Sequence, residues 1–122
     1  DSILGSPLIF DPSIALNMDY FTVWQLAVQD PATVASAFVQ LDKDTKKMRT
    51  GVFGLHEAIA GMRGGVTHYF VARAPKMSEF LNSREKIINS KAFVNYISKT
   101  RPVSDIVGNF SGKIIKRYNM PQ

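Results

Sequence analysis

His56 and His68 are the only two histidines in a 122-residue chain that holds no cysteine. They flank Gly61-Met62-Arg63-Gly64-Gly65, a loop whose glycines permit positive φ, so the runs on either side read as a β-hairpin. Both numbers are even and equally far from Met62, which predicts that the hairpin sets the two imidazoles opposite each other on one face. Imidazoles so placed can share a metal or work as an acid/base pair near neutral pH. A metal would want a third ligand, and Glu57 falls on the other face by alternation, so no metal site is assigned. The structural alternative makes one of them a hydrogen-bonded core or interface histidine and the other a strand-start residue. Arg73 is the third candidate, because a guanidinium inside an otherwise apolar strand needs a partner. Glu57 shares its parity and could be that partner across the hairpin; a buried ion pair and an anion-binding arginine stand as equal alternatives.

These residues need a scaffold, and composition narrows which. Apolar residues make up 45% and charged residues 20%, an ordinary globular balance for one domain. No apolar run approaches the roughly eighteen residues of a membrane-spanning helix, so no membrane is expected. Without cysteine there is no thiol nucleophile, disulfide or thiolate metal site, and the compartment is left open. The formal charge of +5 is uneven: residues 1–45 hold one base against six acids, and residues 46–122 hold fourteen bases against four acids. Only Lys46, Lys47, Arg49 and Lys113, Lys116, Arg117 cluster, so the asymmetry reads as two halves offsetting each other in space. The chain starts at Asp1 rather than Met, from which a processed or trimmed product is expected.

Residues 1–19, with Gly5, Pro7 and Pro12, read as an irregular arm packed on the body or on a partner subunit. Tyr20 to Val28 is aromatic and β-branched and too short for a helix, so it reads as a strand. Asp30-Pro31 supplies an N-cap followed by proline at the first helical position, and Val34, Phe38 and Leu41 repeat at helical spacing, predicting a helix over 31–46. Gly51 to Ala60 and Val66 to Ala74 form the hairpin. Ser78 to Ser98 reads as a long helical stretch that Ser90 can restart as a second segment and Arg101-Pro102 closes. Ile106 to Tyr118 is the last strand, with Gly108 and Gly112 as bulge or close-approach points. The order is β-α-β-β-α-β, the α+β ferredoxin-like arrangement: a four-stranded antiparallel sheet with the helices on one face, spanning residues 20–119.

The strands are apolar on both sides. Trp24, Leu26 and Val28 oppose Phe21, Val23 and Ala27; Phe53, Leu55 and Ile59 oppose Val52, Ala58 and Ala60; Phe70, Ala72 and Ala74 oppose Tyr69 and Val71. Helices cover one side only. Hiding about 600 Å² of the other would be worth roughly 15 kcal/mol before association costs, so a homodimer with sheets face to face is expected.

The element order, the doubly apolar strands and the segment Ser90-Lys91-Ala92-Phe93-Val94-Asn95-Tyr96-Ile97 leading into Arg101-Pro102-Val103 resemble the dimeric α/β-barrel superfamily. Its members include the antibiotic-biosynthesis monooxygenases. The resemblance implies sheets paired into a barrel and a ligand held between a sheet and its own helices. The haem-binding members carry a histidine on a helix; neither helix here has one, and no cofactor is expected. The cofactor-free monooxygenases bind an electron-rich aromatic substrate whose carbanion itself activates oxygen. Their pockets use Trp, Asn, Tyr, Arg or His, types this chain could furnish as Trp24, Tyr69, Arg73, Tyr96 and Asn109. Ordinary sheet packing is the competing role for Trp24 and Tyr69.

No P-loop, dinucleotide fingerprint, G-x-S-x-G elbow or H-E-x-x-H occurs. RNA-recognition domains share the element order, and Arg49-Thr50-Gly51-Val52-Phe53-Gly54-Leu55 faintly resembles their stacking motif, but on the wrong strand and without its core. Nucleic acid is therefore not the expected partner. The reading reached is a small homodimer that binds an apolar or aromatic molecule, with oxygenase or isomerase-type chemistry. His56, His68 and Arg73 are its catalytic candidates, and Trp24, Tyr69, Tyr96 and Asn109 its binding candidates. The alternative is a non-catalytic binding or assembly module.

Overall fold

The structure, a computed structural model, describes residues 7–9, 17–58 and 65–114. Its elements are β1 (Pro7–Ile9), β2 (Tyr20–Val28), α1 (Pro31–Thr45), β3 (Val52–Glu57), β4 (His68–Ala74), α2 (Met77–Ile88), α3 (Lys91–Thr100) and β5 (Ser104–Lys113). Strands β2 to β5 and the helices realise the ferredoxin-like α+β order. The sheet is antiparallel, in the order β1-β3-β4-β2-β5.

Local chemistry accounts for the helix boundaries. The Asp30 carboxylate accepts from the Thr33 backbone N–H at 3.2 Å and from the Thr33 hydroxyl at 2.7 Å, and Pro31 opens α1. These bonds hold Asp30 below the usual carboxylate range. The expected break at Ser90 is real: its hydroxyl donates to the Ile87 carbonyl at 2.6 Å and accepts from Phe93 N–H at 3.2 Å, ending α2 and capping α3. Arg101–Val103 then forms a short 3-10 turn into β5.

Two expectations need correction. Pro7–Ile9 lies in the segment read as irregular, yet it pairs with β3 as a fifth, edge strand, satisfying backbone groups that β3 would otherwise present unpaired. The last strand begins at Ser104, two residues earlier than the apolar pattern suggested, and runs to Lys113; positions 115–118 of the expected strand lie outside the described residues. Ile59, Ala60 and residues 61–64 of the hairpin loop fall outside the described residues.

The two-sided strand pattern is borne out. Leu26, Val28, Leu55 and Phe70 pack with Val34, Phe38 and Leu41 of α1, joined by Trp24, Phe53 and Tyr96. On the opposite face Val23, Tyr69 and Val71 form a second cluster with Phe21, Ala58 and Val66. Val23, Tyr69 and Val71 of that second cluster are 1–4% exposed within the single chain, and the most exposed apolar side chains of the sheet lie instead on the edge strand β5. There Ile106, Val107 and Phe110 are 65%, 48% and 41% exposed.

Both expected glycine approaches on β5 are present. Gly108 adjoins the register shift between Gln25 and Leu26, and a Cβ on Gly112 would sit 2.6 Å from the Phe21 ring. Gly51 is tighter still, since a Cβ there would lie 2.0 Å from the Arg73 carbonyl oxygen. Backbone cannot swing aside as a side chain can. Gly51→Ala is therefore expected to destabilise the fold by about 1–3 kcal/mol, read as a lower urea midpoint at unchanged slope, whereas Gly65→Ala faces empty space and only a φ of 72°.

Candidate functional site

Between the helix face of the sheet and α2–α3 lies a cavity of about 400 Å³. Six aromatic residues line it: Trp24, Phe53, Phe70, Phe80, Phe93 and Tyr96. The elements that supply them follow from the pattern. On α2 the lining residues are Phe80, Ser83, Arg84, Ile87 and Ile88, and on α3 and the residue that follows it they are Phe93, Tyr96, Ile97, Thr100 and Arg101. Each set is spaced i, i+3, i+4, i+7, i+8, one continuous helix face. The sheet contributes alternate residues of β2 and β4, Trp24, Leu26, Phe70 and Ala72.

Phe70 is the centre of the aromatic wall. Its ring lies 5.6 Å from Trp24, 5.3 Å from Phe38, 5.1 Å from Phe53 and 6.0 Å from Tyr96, all at steep interplanar angles. Edge-to-face contacts of this kind set ring orientation as well as separation. Tyr96 supplies a polar atom. Burial pushes its phenol up to about 12, so the hydroxyl stays protonated and able to donate.

Arg49 closes one end. Its side chain is only 3% exposed and pairs with Asp42. It also donates to the Thr45 hydroxyl at 3.2 Å, the Gly51 carbonyl at 2.7 Å and the Asp42 carbonyl at 2.9 Å, and its guanidinium carbon sits 4.1 Å from the Phe53 ring centroid. Burial lowers its pKa and Asp42 opposes that shift. Grouped in the sequence with Lys46 and Lys47 as part of a basic loop, it is instead an internal strut.

The structure divides the expected site residues. Trp24 and Tyr96 line the cavity. Asn109 pairs with Trp24 across β2 and β5 but is exposed and not on the cavity wall. Tyr69 is 2% exposed in the opposite cluster, a packing role.

The histidine pairing is corrected. The β3–β4 register couples His56 with Tyr69 and Glu57 with His68, one residue away from the symmetric hairpin expected, so the two imidazoles lie on opposite faces. Among the described residues no three His, Asp or Glu side chains are grouped to hold a metal ion. Neither histidine lines the cavity. His68 is buried at the start of β4, its Nδ1 2.8 Å from the Thr67 hydroxyl, which itself accepts from Val28 N–H at 2.9 Å. His56 is buried on the far face.

The Arg73–Glu57 pair is corrected by the same slip. Arg73 pairs with Val52 and shares the face of Val71, whereas Glu57 shares the face of Phe70. Arg73 borders the cavity, but its guanidinium donates twice to the Met18 carbonyl, at 3.1 and 2.8 Å. Burial lowers its pKa and Asp19 opposes the shift.

Burial also lowers both histidines from their ordinary 6.5, against an opposing pull from Glu57 at His68. The folded state therefore resists protons that the unfolded chain accepts. Stability is expected to be full above about pH 6.5 and to fall as the pH drops from there toward the depressed folded values. Urea midpoints at pH 8 and pH 5 check this, and His68→Gln should flatten the difference.

Fold and cavity together define a ferredoxin-like α+β domain with an aromatic pocket between sheet and helices. No protein-family model matches the chain, and no curated protein matches it. Among solved structures the chain is similar to SnoaB, a cofactor-independent oxygenase from Streptomyces nogalater, with a TM-score of 0.54 and 14% identity over 86% of this chain and 99% of that one. A single-substitution variant of SnoaB gives a TM-score of 0.53 at 14% identity, covering 85% and 98% of the two chains. Identity this low shows the shared fold and no more.

Sequence reading missed Arg49, Phe53, Ser83, Arg84 and Arg101 as lining residues. The i, i+3, i+4 spacing from Phe80 and from Phe93 was the available signal. Phe53, the aromatic of the RNA-like segment, packs on Phe70 on the helix side and so is taken from the open sheet that base stacking requires.

Proposed function

We propose that this protein binds an aromatic or otherwise apolar small molecule between its sheet and α2–α3, and promotes that molecule's reaction with oxygen without a resident cofactor. The observation that carries the proposal is the aromatic cavity of about 400 Å³, the size and character of a ligand site. Its fold likeness to SnoaB, a cofactor-independent oxygenase, supports the reaction class. In this reading the rings hold a flat substrate and exclude water, and the protonated Tyr96 phenol donates to oxygen that gains negative charge. Neither histidine is a base here, so the substrate must itself ionise readily.

Homodimerisation remains part of the proposal. The exposed Ile106, Val107 and Phe110 lie on an edge strand, where a second copy would remove both apolar surface and open backbone. Sedimentation at micromolar concentration should give twice the chain's 13.6 kDa.

Oxygen uptake with a panel of fused-ring phenols, with no metal or flavin added, tests the reaction. Uptake that Tyr96→Phe slows while binding persists supports the enzyme. Binding without uptake supports the second reading, a non-catalytic binding module, which the distance of both histidines from the cavity wall favours.

A further inference from the structure

The two helical faces that line the cavity are mostly apolar, with the hydroxyls of Ser83, Tyr96 and Thr100, and each carries one arginine. Arg84 sits among Phe80, Ile87 and Ile88 on α2, and Arg101 continues the line of Phe93 and Ile97 one residue past the end of α3. Neither guanidinium has an ion pair or a side-chain hydrogen bond among the described residues, and both residues are exposed at the cavity rim. The other two arginines on the wall are satisfied, Arg49 by Asp42 and Arg73 by the Met18 carbonyl. Among the described residues Asp105 is the one acid on the wall. It pairs with Ala27, so alternation sends its side chain to the face away from Leu26 and the helices.

An arginine in such a stripe ordinarily lays its stem on apolar surface and leaves its head in water. Two of them, one on α2 and one at the end of α3, around one aromatic cavity and with no acid side chain facing them among the described residues, make a net positive rim over a low-dielectric floor. We infer that the cavity's ligand is anionic: an aromatic or alkyl body carrying one negatively charged oxygen group, a carboxylate or an ionised phenol or enol, that meets Arg84, Arg101 or both. The inference rests on the proposed cavity and adds the charge of what fills it. Guanidinium donors suit such a group through paired N–H bonds. Where that group is a phenol or enol, they also favour its ionised form, its proton passing to solvent water at the exposed rim, which supplies the activation that no base in the cavity provides.

The test compares two probes of nearly one shape, 2-naphthoate and 2-naphthamide, by calorimetry at low salt. Trp24, the only tryptophan and a lining residue, gives a second readout through its fluorescence. Naphthoate is expected to bind about tenfold tighter than the amide, and R84Q/R101Q should erase that preference by weakening naphthoate far more than the amide, with the folded spectrum unchanged. The single variants R84Q and R101Q assign the contact, and R84K/R101K should restore part of it. Equal affinity for the two probes, indifferent to the arginine variants, overturns the inference and leaves the cavity reading standing. Failure of both probes to bind removes the cavity reading and this inference with it.

Discussion

Phe70→Ala is expected to cost about 3–5 kcal/mol, the range for deleting a buried aromatic ring, and to lower the melting temperature by roughly 10–20 °C. The ring is 9% exposed and touches Trp24, Phe38, Phe53 and Tyr96. Its removal takes the shared partner from four aromatic contacts at once, and the helices cannot follow it inward without abandoning the α1 core. Phe70→Leu keeps most of the volume and should cost roughly 1–2 kcal/mol. Because Phe70 also forms the cavity floor, Phe70→Ala should weaken binding of the naphthoate probe, and Phe70→Leu should weaken it less. Denaturation in urea and calorimetry measure the two effects separately. A stability loss under about 1 kcal/mol for Phe70→Ala would show that the floor collapses freely and that the ring cluster is not rigid.

Arg49→Ala should be nearly as damaging, at about 2–4 kcal/mol. The guanidinium ties the end of α1 to the chain entering β3; its loss strands the carbonyls of Asp42 and Gly51 and leaves the Asp42 carboxylate only the exposed Lys46 ammonium at 3.8 Å. Asp42 keeps a quarter of its side-chain exposure, so water screens part of the pair and the figure stays below the upper range for fully buried ions. Arg49→Lys is a sharp control. An ammonium cannot reproduce the planar fork that reaches Thr45, Gly51 and Asp42 together, so it should recover less than half of the loss. Full recovery by lysine would mean that charge alone, rather than the fork, holds this corner.

Much of the fold was legible along the chain because its determinants are local. Asp30-Pro31 and Ser90 announce helix starts through side-chain oxygens that reach backbone N–H groups only three residues on. The opposition of Trp24 and Leu26 to Phe21 and Val23 needs only the two-residue period of a strand. The site was legible in part. Trp24 and Tyr96 were named in advance, and both face the cavity. The errors over the two histidines and over Arg73 and Glu57 share one origin. Parity across a hairpin depends on the turn, and a slip of one residue sends His56 and His68, and Arg73 and Glu57, to opposite faces.

What the residues determined alone was the kind and order of elements, β-α-β-β-α-β, and a sheet apolar on both sides, since capping reach and side-chain period act over three or four neighbours. The tertiary structure alone decided the β3–β4 register, the recruitment of Pro7–Ile9 as an edge strand, the inward turn of Arg49 and the meeting of Arg84 and Arg101 at one cavity. These depend on which distant segments come into contact, a choice made by the competition among packings of the whole chain rather than by any local preference.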